Sequence, residues 1–166
     1  ARQLASGEIV PGNNLLTSAT GHTNVRITAG TTTNGTWTYV AATNAYTFTP
    51  TADNATINFN DIQNYLNSNN VTILTARTAG TQAGHVYIDQ AITENNSSGS
   101  PFTFRITAGG DIYANQTITL PGTYNNQAGH SLSFTAAGNI NVAAAINISP
   151  FDQSYGSTRG PAGAIS

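Results

Sequence analysis

The residues of this chain that could carry out chemistry are few and widely spaced. Its three histidines, His22, His85 and His130, each follow a glycine. Imidazole is a common metal ligand, but a metal site needs two to four ligands that converge within a few ångströms. These histidines lie in different segments, and the chain contains no cysteine. We therefore interpret them as residues of structural corners and predict no metal site and no cofactor.

The acidic residues form no compact motif either. They are Glu8, Asp53, Asp61, Asp89, Glu94, Asp111 and Asp152. Enzymes that cleave polysaccharides need carboxylates grouped in a groove for calcium binding or acid–base catalysis. The best such group here is Asp89 with Asp111, which could approach each other across neighbouring repeats, and Arg105 nearby. The scattered carboxylates favour a protein without enzymatic activity, and a carbohydrate-active enzyme remains the alternative.

Four aromatic residues form the main candidate for a binding surface: Trp37, Tyr39, Tyr46 and Phe48. They alternate with threonines in two short runs, which predicts a β-hairpin near residues 36–50 because alternate residues of a strand share one face. An aromatic patch of this kind could stack on sugar rings, pack against a neighbouring subunit, or cover the flank of its own protein.

The composition excludes several classes of partner. Charged residues make up 7% of the chain and the net charge is −2, whereas roughly 25% of the residues in a typical soluble domain are charged. So few cations predict no binding to nucleic acid or to an anionic bilayer. The apolar runs are too short for membrane insertion. Threonine, isoleucine and valine are plentiful, and these residues favour strands.

An internal repeat decides the predicted fold. Residues 104–118 and 132–146 align without gaps at an offset of 28 residues, and a weaker copy begins at Gly84, 26 residues before Gly110. Residues 24–30 resemble the opening strand of one more unit. A sandwich has no reason to repeat the same side chains at a fixed period, but a parallel β-helix does, because its coils stack on one another.

We therefore predict an all-β protein, a right-handed parallel β-helix or solenoid. Ile62, Tyr65 and Leu66 have helical spacing, which predicts a short helical turn near residues 61–66. The predicted organisation is an N-terminal lead or cap over residues 1–23, β-helix repeats over 24–149, and an irregular tail containing glycine and proline over 150–166.

The repeats also resemble a known family. Residues 53–75, followed by the Ala-Ala-Gly-Asn-Ile-Asn-Val-Ala-Ala-Ala-Ile stretch at 136–146, are similar to the repeat region of filamentous-haemagglutinin-like bacterial exoproteins. The resemblance covers roughly residues 24–149. It implies the parallel β-helix shaft of a secreted or surface-held adhesin, and it implies no catalytic residues.

The function predicted from these observations is that of a non-enzymatic extracellular structural protein of a bacterium, either an adhesin shaft segment or a filament-forming subunit that mediates surface attachment. A β-helix has two ends with unpaired backbone groups, so we expect self-association end to end or continuation in a longer chain. A glycan of a host or other surface is the candidate ligand.

The alternatives are a polysaccharide lyase or hydrolase and a glycan- or ice-binding module. The ice-binding alternative is based on Thr-x-Thr pairs, which could order water on a flat sheet face. These pairs lie at positions 36/38, 47/49, 49/51 and 117/119.

Overall fold

The structure is a computed structural model that describes residues 20–97, 99–122, 128–149 and 165–166. Nearly all of the predicted N-terminal lead (1–23) and tail (150–166) lies outside these residues. The described elements follow one another as β1 (Val25–Thr28), β2 (Gly35–Val40), β3 (Ala45–Pro50), β4 (Ala55–Asn58), α1 (Phe59–Leu66), β5 (Asn70–Leu74), β6 (Val86–Ile88), β7 (Ile92–Thr93), β8 (Thr103–Ala108), β9 (Ile112–Ala114), β10 (Ile118–Thr119), β11 (Ser131–Ala136), β12 (Ile140–Val142) and β13 (Ile146–Asn147).

Three sheets form a β-solenoid of about four turns, which confirms the predicted fold class. Sheet I contains β2, β3, β5, β8 and β11 in stacking order. Sheet II contains β4, β1, β6, β9 and β12, and sheet III contains β7, β10 and β13. One regular coil passes through the three sheets in turn, as β8, β9 and β10 do. Every pairing between these described strands is parallel except that of β2 with β3.

The sequence repeat corresponds to vertical stacking of the coils. Ile112 of β9 pairs with Ile140 of β12, and Ile118 of β10 pairs with Ile146 of β13. These are the equivalences that the 28-residue offset predicts. The 26-residue offset is confirmed as well, because β6 and β9 pair with Tyr87 opposite Tyr113.

Alternating residues of the strands fill the core. In β8, Phe104 and Ile106 are buried, whereas Arg105 and Thr107 are exposed. Successive coils place apolar side chains above one another, so the core consists of continuous columns. Burying one such side chain contributes about 1.5–3 kcal/mol, and this repeated gain holds the coils together.

Strand β1 lies out of chain order. It occupies sheet II between β4 and β6, where Val25 is opposite both Ala55 and Val86. The prediction that residues 24–30 open a repeat unit is therefore wrong, because opening strands such as β8 belong to sheet I. Residues 26–30 and 105–109 share the sequence Arg-Ile-Thr-Ala-Gly, but the inward and outward alternation that this sequence encodes suits either sheet.

Helix α1 takes the place of a strand in the first coil. Ile62 and Leu66 are fully buried, and the helix packs against β5, β7 and β4. The predicted helical turn is confirmed, although the helix begins at Phe59 rather than near Asp61. It begins earlier because the side chain of Asn58 accepts a hydrogen bond from the backbone N–H of Asn60 at 2.8 Å, which is a favourable N-cap.

The predicted hairpin is present, and its second strand belongs to the shaft. β2 and β3 pair in antiparallel register, joined by a 3-10 turn at Ala41–Thr43 and by Asn44, whose φ of 47° is left-handed. On its other edge, β3 pairs in parallel with β5. β2 is therefore the last described strand of sheet I, and its direction ends the parallel stacking.

The two ends of the solenoid differ in construction. At one end, β2 closes sheet I, α1 lies beside β7 of sheet III, and β4 closes sheet II. The outer edge of β4 is covered where Thr33 and Thr56 exchange backbone hydrogen bonds of 3.0 Å. We call this the capped end. The opposite end, formed by β11, β12 and β13, is called the open end.

Candidate functional site

The open end exposes residues that are core residues in the coil below. Ile140 and Val142 of β12 are 47% and 51% exposed, whereas Ile112 and Ala114 directly below them are fully buried. β12 and β13 are also the outermost described strands of sheets II and III. This surface combines exposed apolar side chains with strand edges, which is the arrangement that pairs most readily with another strand.

A ladder of side chains at one corner also stops at the open end. The side chain of Asn24 accepts hydrogen bonds from the backbone N–H groups of Gly84 and His85 at 3.0 and 2.9 Å. Nδ1 of His85 accepts from the N–H of Asp111 at 2.8 Å, and Oδ1 of Asp111 accepts from the N–H of Asn139 at 2.7 Å. The side chain of Asn139, the next position of the ladder, has no hydrogen-bond partner among the described residues.

The hydrogen bonds that Asp111 accepts lower the pKa of its carboxyl group. The hydrogen bond from the backbone of Asn139 lowers the pKa of Asp111, and a hydrogen bond of 2.8 Å from the hydroxyl of Tyr113 lowers it further. The same contact raises the pKa of Tyr113. Asp111 is thus held as a carboxylate that accepts hydrogen bonds, which is a structural role.

A short piece of the same chain lies on the open end. Ser166 donates its N–H to the carbonyl of Leu132 at 2.9 Å and accepts from the N–H of Phe134 at 2.6 Å. Ile165 pairs with Leu132 in parallel, as Leu132 pairs with Phe104 below it. These two residues extend sheet I by one short strand in the established register, whereas among the described residues sheets II and III end at β12 and β13.

The predicted aromatic patch forms one cluster at the capped end. Trp37 contacts Phe48 edge-on at 5.4 Å between ring centroids, and Tyr39 contacts Tyr46 at 5.2 Å. Tyr65 of α1, which the sequence reasoning did not include, stacks on Tyr46 at 3.9 Å and contacts Trp37 at 5.0 Å. Tyr65 lies three residues after Ile62, so the helical spacing already placed it on the side of α1 that faces the protein.

The four aromatic residues differ in how far they are exposed to solvent. Phe48 is fully buried and Tyr39 is 48% exposed, whereas Trp37 and Tyr46 are half-buried. Nε1 of Trp37 is buried and has no hydrogen-bond partner among the described residues. The ring faces of Tyr46 and Tyr65 cover each other, so Tyr39 is the ring most available to a ligand. Ligand binding by the patch remains a prediction.

The histidines lie at separate corner positions. Nδ1 of His22 lies 3.3 Å from the hydroxyl of Thr75. Nδ1 of His130 accepts from the N–H of Phe102 at 2.9 Å, and Nε2 of this fully buried histidine contacts Glu94. Within the part of the chain that the structure describes, no three His, Asp or Glu side chains are grouped so that they could hold a metal ion.

The residues named for an enzymatic site are not brought together. Asp89 follows β6 and pairs with Arg26 and the amide of Asn115. Asp111 precedes β9, so the two aspartates lie at opposite ends of neighbouring strands of sheet II. Arg105 projects from the outer face of sheet I.

Asp53 belongs to another structural network, near the capped end. Hydroxyl groups of Thr23 and Thr81 donate to its carboxylate at 2.7 and 2.8 Å, and Arg77 forms an ion pair with it. These contacts lower the pKa of Asp53 from 3.8 to about 2. The network ties the long connection between β5 and β6 to the corner before β4.

Comparison with known proteins assigns the chain to no family. No protein family, curated protein or solved structure matches it. The described part of the chain contains no helix that is long and apolar enough to cross a membrane.

Proposed function

We propose that this chain is a non-enzymatic structural segment of an extracellular β-solenoid shaft, of the kind that filamentous-haemagglutinin-like bacterial exoproteins possess. Its role in this proposal is mechanical: it extends and attaches a bacterial surface structure. The stacked coils and their repeated columns are compatible with such a shaft.

The open end is the observation that carries this proposal. Ile140 and Val142 are about half exposed there. The residues directly below them in the same columns are fully buried. Covering Ile140 and Val142 with a further strand would bury apolar area at about 25 cal/mol per Å². It would also supply hydrogen-bond partners for the outer edges of β12 and β13, which pair with no strand among the described residues. A self-contained globular domain has no need of such a surface.

The chemistry of the described carboxylates also favours a structural role. Asp53, Asp89 and Glu94 each contact a cationic side chain or a histidine of the same chain. Asp111 accepts hydrogen bonds from the backbone of Asn139 and from the hydroxyl of Tyr113. A general acid or base must instead reach a substrate. These partners support the proposal that the protein is not an enzyme.

The polarity of the solenoid limits how it associates. β2 runs against the other strands of sheet I and the outer edge of β4 is covered at Thr33, so the capped end does not continue the parallel stacking. Further coils of a longer chain, or a second copy meeting open end to open end, would cover β12 and β13.

The test is the association state of the purified chain, measured by sedimentation velocity and by electron microscopy. We expect the wild type to form dimers, with the two open ends facing each other, as its concentration rises. The double variant Ile140→Glu/Val142→Glu should stay monomeric with an unchanged circular dichroism spectrum, because charges on the open end oppose its desolvation.

The matched control carries changes of similar chemistry at the capped end, Tyr39→Ser with Val40→Glu, both of which are exposed. This variant should associate as the wild type does. A wild type that stays monomeric at about 0.5 mM, or one that cleaves an acidic polysaccharide, would contradict the proposal.

A further inference from the structure

The outer face of sheet I contains a groove that none of the preceding sites uses. It lies over β3, β5 and β8, has a volume of about 570 Å³, and is bounded on the hairpin side by Val40 and Thr43. Ligand pockets commonly have volumes of roughly 300–1,000 Å³. The groove therefore has room for one or two sugar rings or a molecule of similar size.

The lining of the groove combines apolar surface with free hydroxyl groups. Leu74 and Val40 provide apolar surface, and three threonines with their hydroxyl groups, Thr47, Thr72 and Thr103, line the same groove. None of these three hydroxyls has a hydrogen-bond partner among the described residues. They are therefore available to a ligand that has hydroxyl groups of its own.

The frame of the groove is rigid. The side chain of Asn70 donates to the carbonyl of Thr43 at 2.9 Å and accepts from the backbone N–H of Thr103 at 2.9 Å. One amide thus joins the turn after β2, strand β5 and strand β8. A binding surface held in this way loses little conformational entropy when a ligand binds.

Arg105 is the one charged residue among the described residues that line the groove. Of the arginines in the described part of the chain, Arg26 pairs with Asp89 and Arg77 pairs with Asp53. The side chain of Arg105 has neither an ion pair nor a hydrogen bond with any other described residue. Its guanidinium is exposed on a face of neutral residues. A planar guanidinium binds a carboxylate through two parallel hydrogen bonds, so the groove has one preferred site for an acidic group.

We propose that this groove binds a uronic acid unit of an acidic glycan. The carboxylate pairs with Arg105, the sugar hydroxyls bond to Thr72 and Thr103, and the C–H face of the ring lies over Leu74. This inference rests on the attachment role proposed above, and it names a ligand class and a site for that role.

The same face is poorly suited to ice. The pairs Thr36/Thr38 and Thr47/Thr49 lie side by side in β2 and β3. In the next strands, however, Arg105 occupies the same column as Thr47 and Thr72. A long charged side chain interrupts the flat array that ordered water would need. A single cation is likewise too little charge for a nucleic acid backbone.

The test is a titration of ¹⁵N-labelled protein with tetragalacturonate, followed by NMR. We expect shift changes confined to β3, β5 and β8. The fully methyl-esterified tetrasaccharide, which has the same rings without charge, should bind at least about tenfold more weakly, because a bidentate charged contact is lost.

Variants locate the contact. Arg105→Gln should lower the affinity for tetragalacturonate by about tenfold or more, and Thr72→Val should lower it by about threefold. Arg26→Gln removes an equal charge from sheet II and should leave binding unchanged. All three sites face solvent, and unchanged spectra outside the mutated region show that each variant is folded.

The proposal is wrong if the wild type shows no shift changes at about 5 mM ligand, if the methyl ester binds equally well, or if Arg105→Gln binds like the wild type. A negative result together with association through Ile140 and Val142 would remove the glycan site and leave the shaft role intact. Glycan binding by a strictly monomeric protein would support the glycan site and contradict the association proposed for the open end.

Discussion

The capped end and the open end of this solenoid solve the same physical problem in different ways. At the capped end, an antiparallel strand, a helix and the contact at Thr33 close the three sheets. At the open end, β12 leaves two large apolar side chains in water. A solenoid coil buries its apolar face only when something lies above it, so a terminal coil needs either a cap or a neighbour.

Residues that occupy one column show how strongly position decides their environment. Ile112 and Ile140 are consecutive members of the same column, yet the first is fully buried and the second is 47% exposed. Their sequence contexts are alike because they are repeats. The difference in exposure arises because β12 is the outermost described strand of sheet II. Its effect on stability can be measured with substitutions at the two ends.

The largest expected effect contrasts the cores of the two ends. Ile62→Ala at the capped end should lower the free energy of unfolding by about 2–5 kcal/mol, because it leaves a cavity in a fully packed site. Ile140→Ala at the open end should cost under about 1 kcal/mol, since its side chain already contacts water. Urea denaturation, at a concentration where the protein is monomeric, measures both values. Equal losses would mean that the open end is as well packed as the capped end.

A smaller effect contrasts two asparagines of the corner ladder. Asn24→Ala removes the acceptor for two backbone N–H groups and should cost about 1–3 kcal/mol, because both donors lose their partner. Asn139→Ala, at the last position of the ladder, should change the stability by at most about 0.5 kcal/mol. The same urea experiment provides the measurement. A large loss from Asn139→Ala would show that its side chain already has a partner.

The smallest effect concerns acid stability near the capped end. The pKa of Asp53 is lowered to about 2 in the folded protein from 3.8. A lowered carboxyl pKa stabilises the fold fully above the unfolded value, and this stability is lost as the pH falls from about 4 through about 2. Urea midpoints of the wild type should therefore fall across this range. Asp53→Asn should start from a lower midpoint and fall less steeply.

The control for acid stability is Asp89→Asn. Asp89 pairs with Arg26, whose side chain is 49% exposed, and exposed ion pairs contribute little. This variant should follow the wild type between about pH 4 and about pH 2. If Asp53→Asn and Asp89→Asn had the same pH profile, the network at Asp53 would not be what makes the fold acid-sensitive.

The sequence is sufficient to predict the repeat architecture and the two local elements, the hairpin and the helix. The 28-residue offset correctly identifies Ile140 and Ile146 as the partners of Ile112 and Ile118. The order of β1 in sheet II is not predictable in the same way. Residues 26–30 carry the same alternation as residues 105–109, and alternation specifies a buried face without specifying which sheet buries it.

The candidate sites show a similar division. Alternation correctly groups Trp37, Tyr39, Tyr46 and Phe48, but Tyr65 joins them only because α1 packs behind the hairpin. The predicted group of Asp89, Asp111 and Arg105 depends on positions in neighbouring repeats. The structure separates its members because the three-residue strands of sheet II lie between the two aspartates and Arg105 belongs to the outer face of sheet I.

Periodic spacing of apolar residues is enough to establish the stacked coils, because stacking needs only that like positions recur and that strand neighbours alternate between core and solvent. Which strands meet, which end is covered and which arginine lacks an acidic partner among the described residues depend on contacts between residues far apart in the chain. Such contacts are set by the competition of all segments for the same core, so only the tertiary structure decides them.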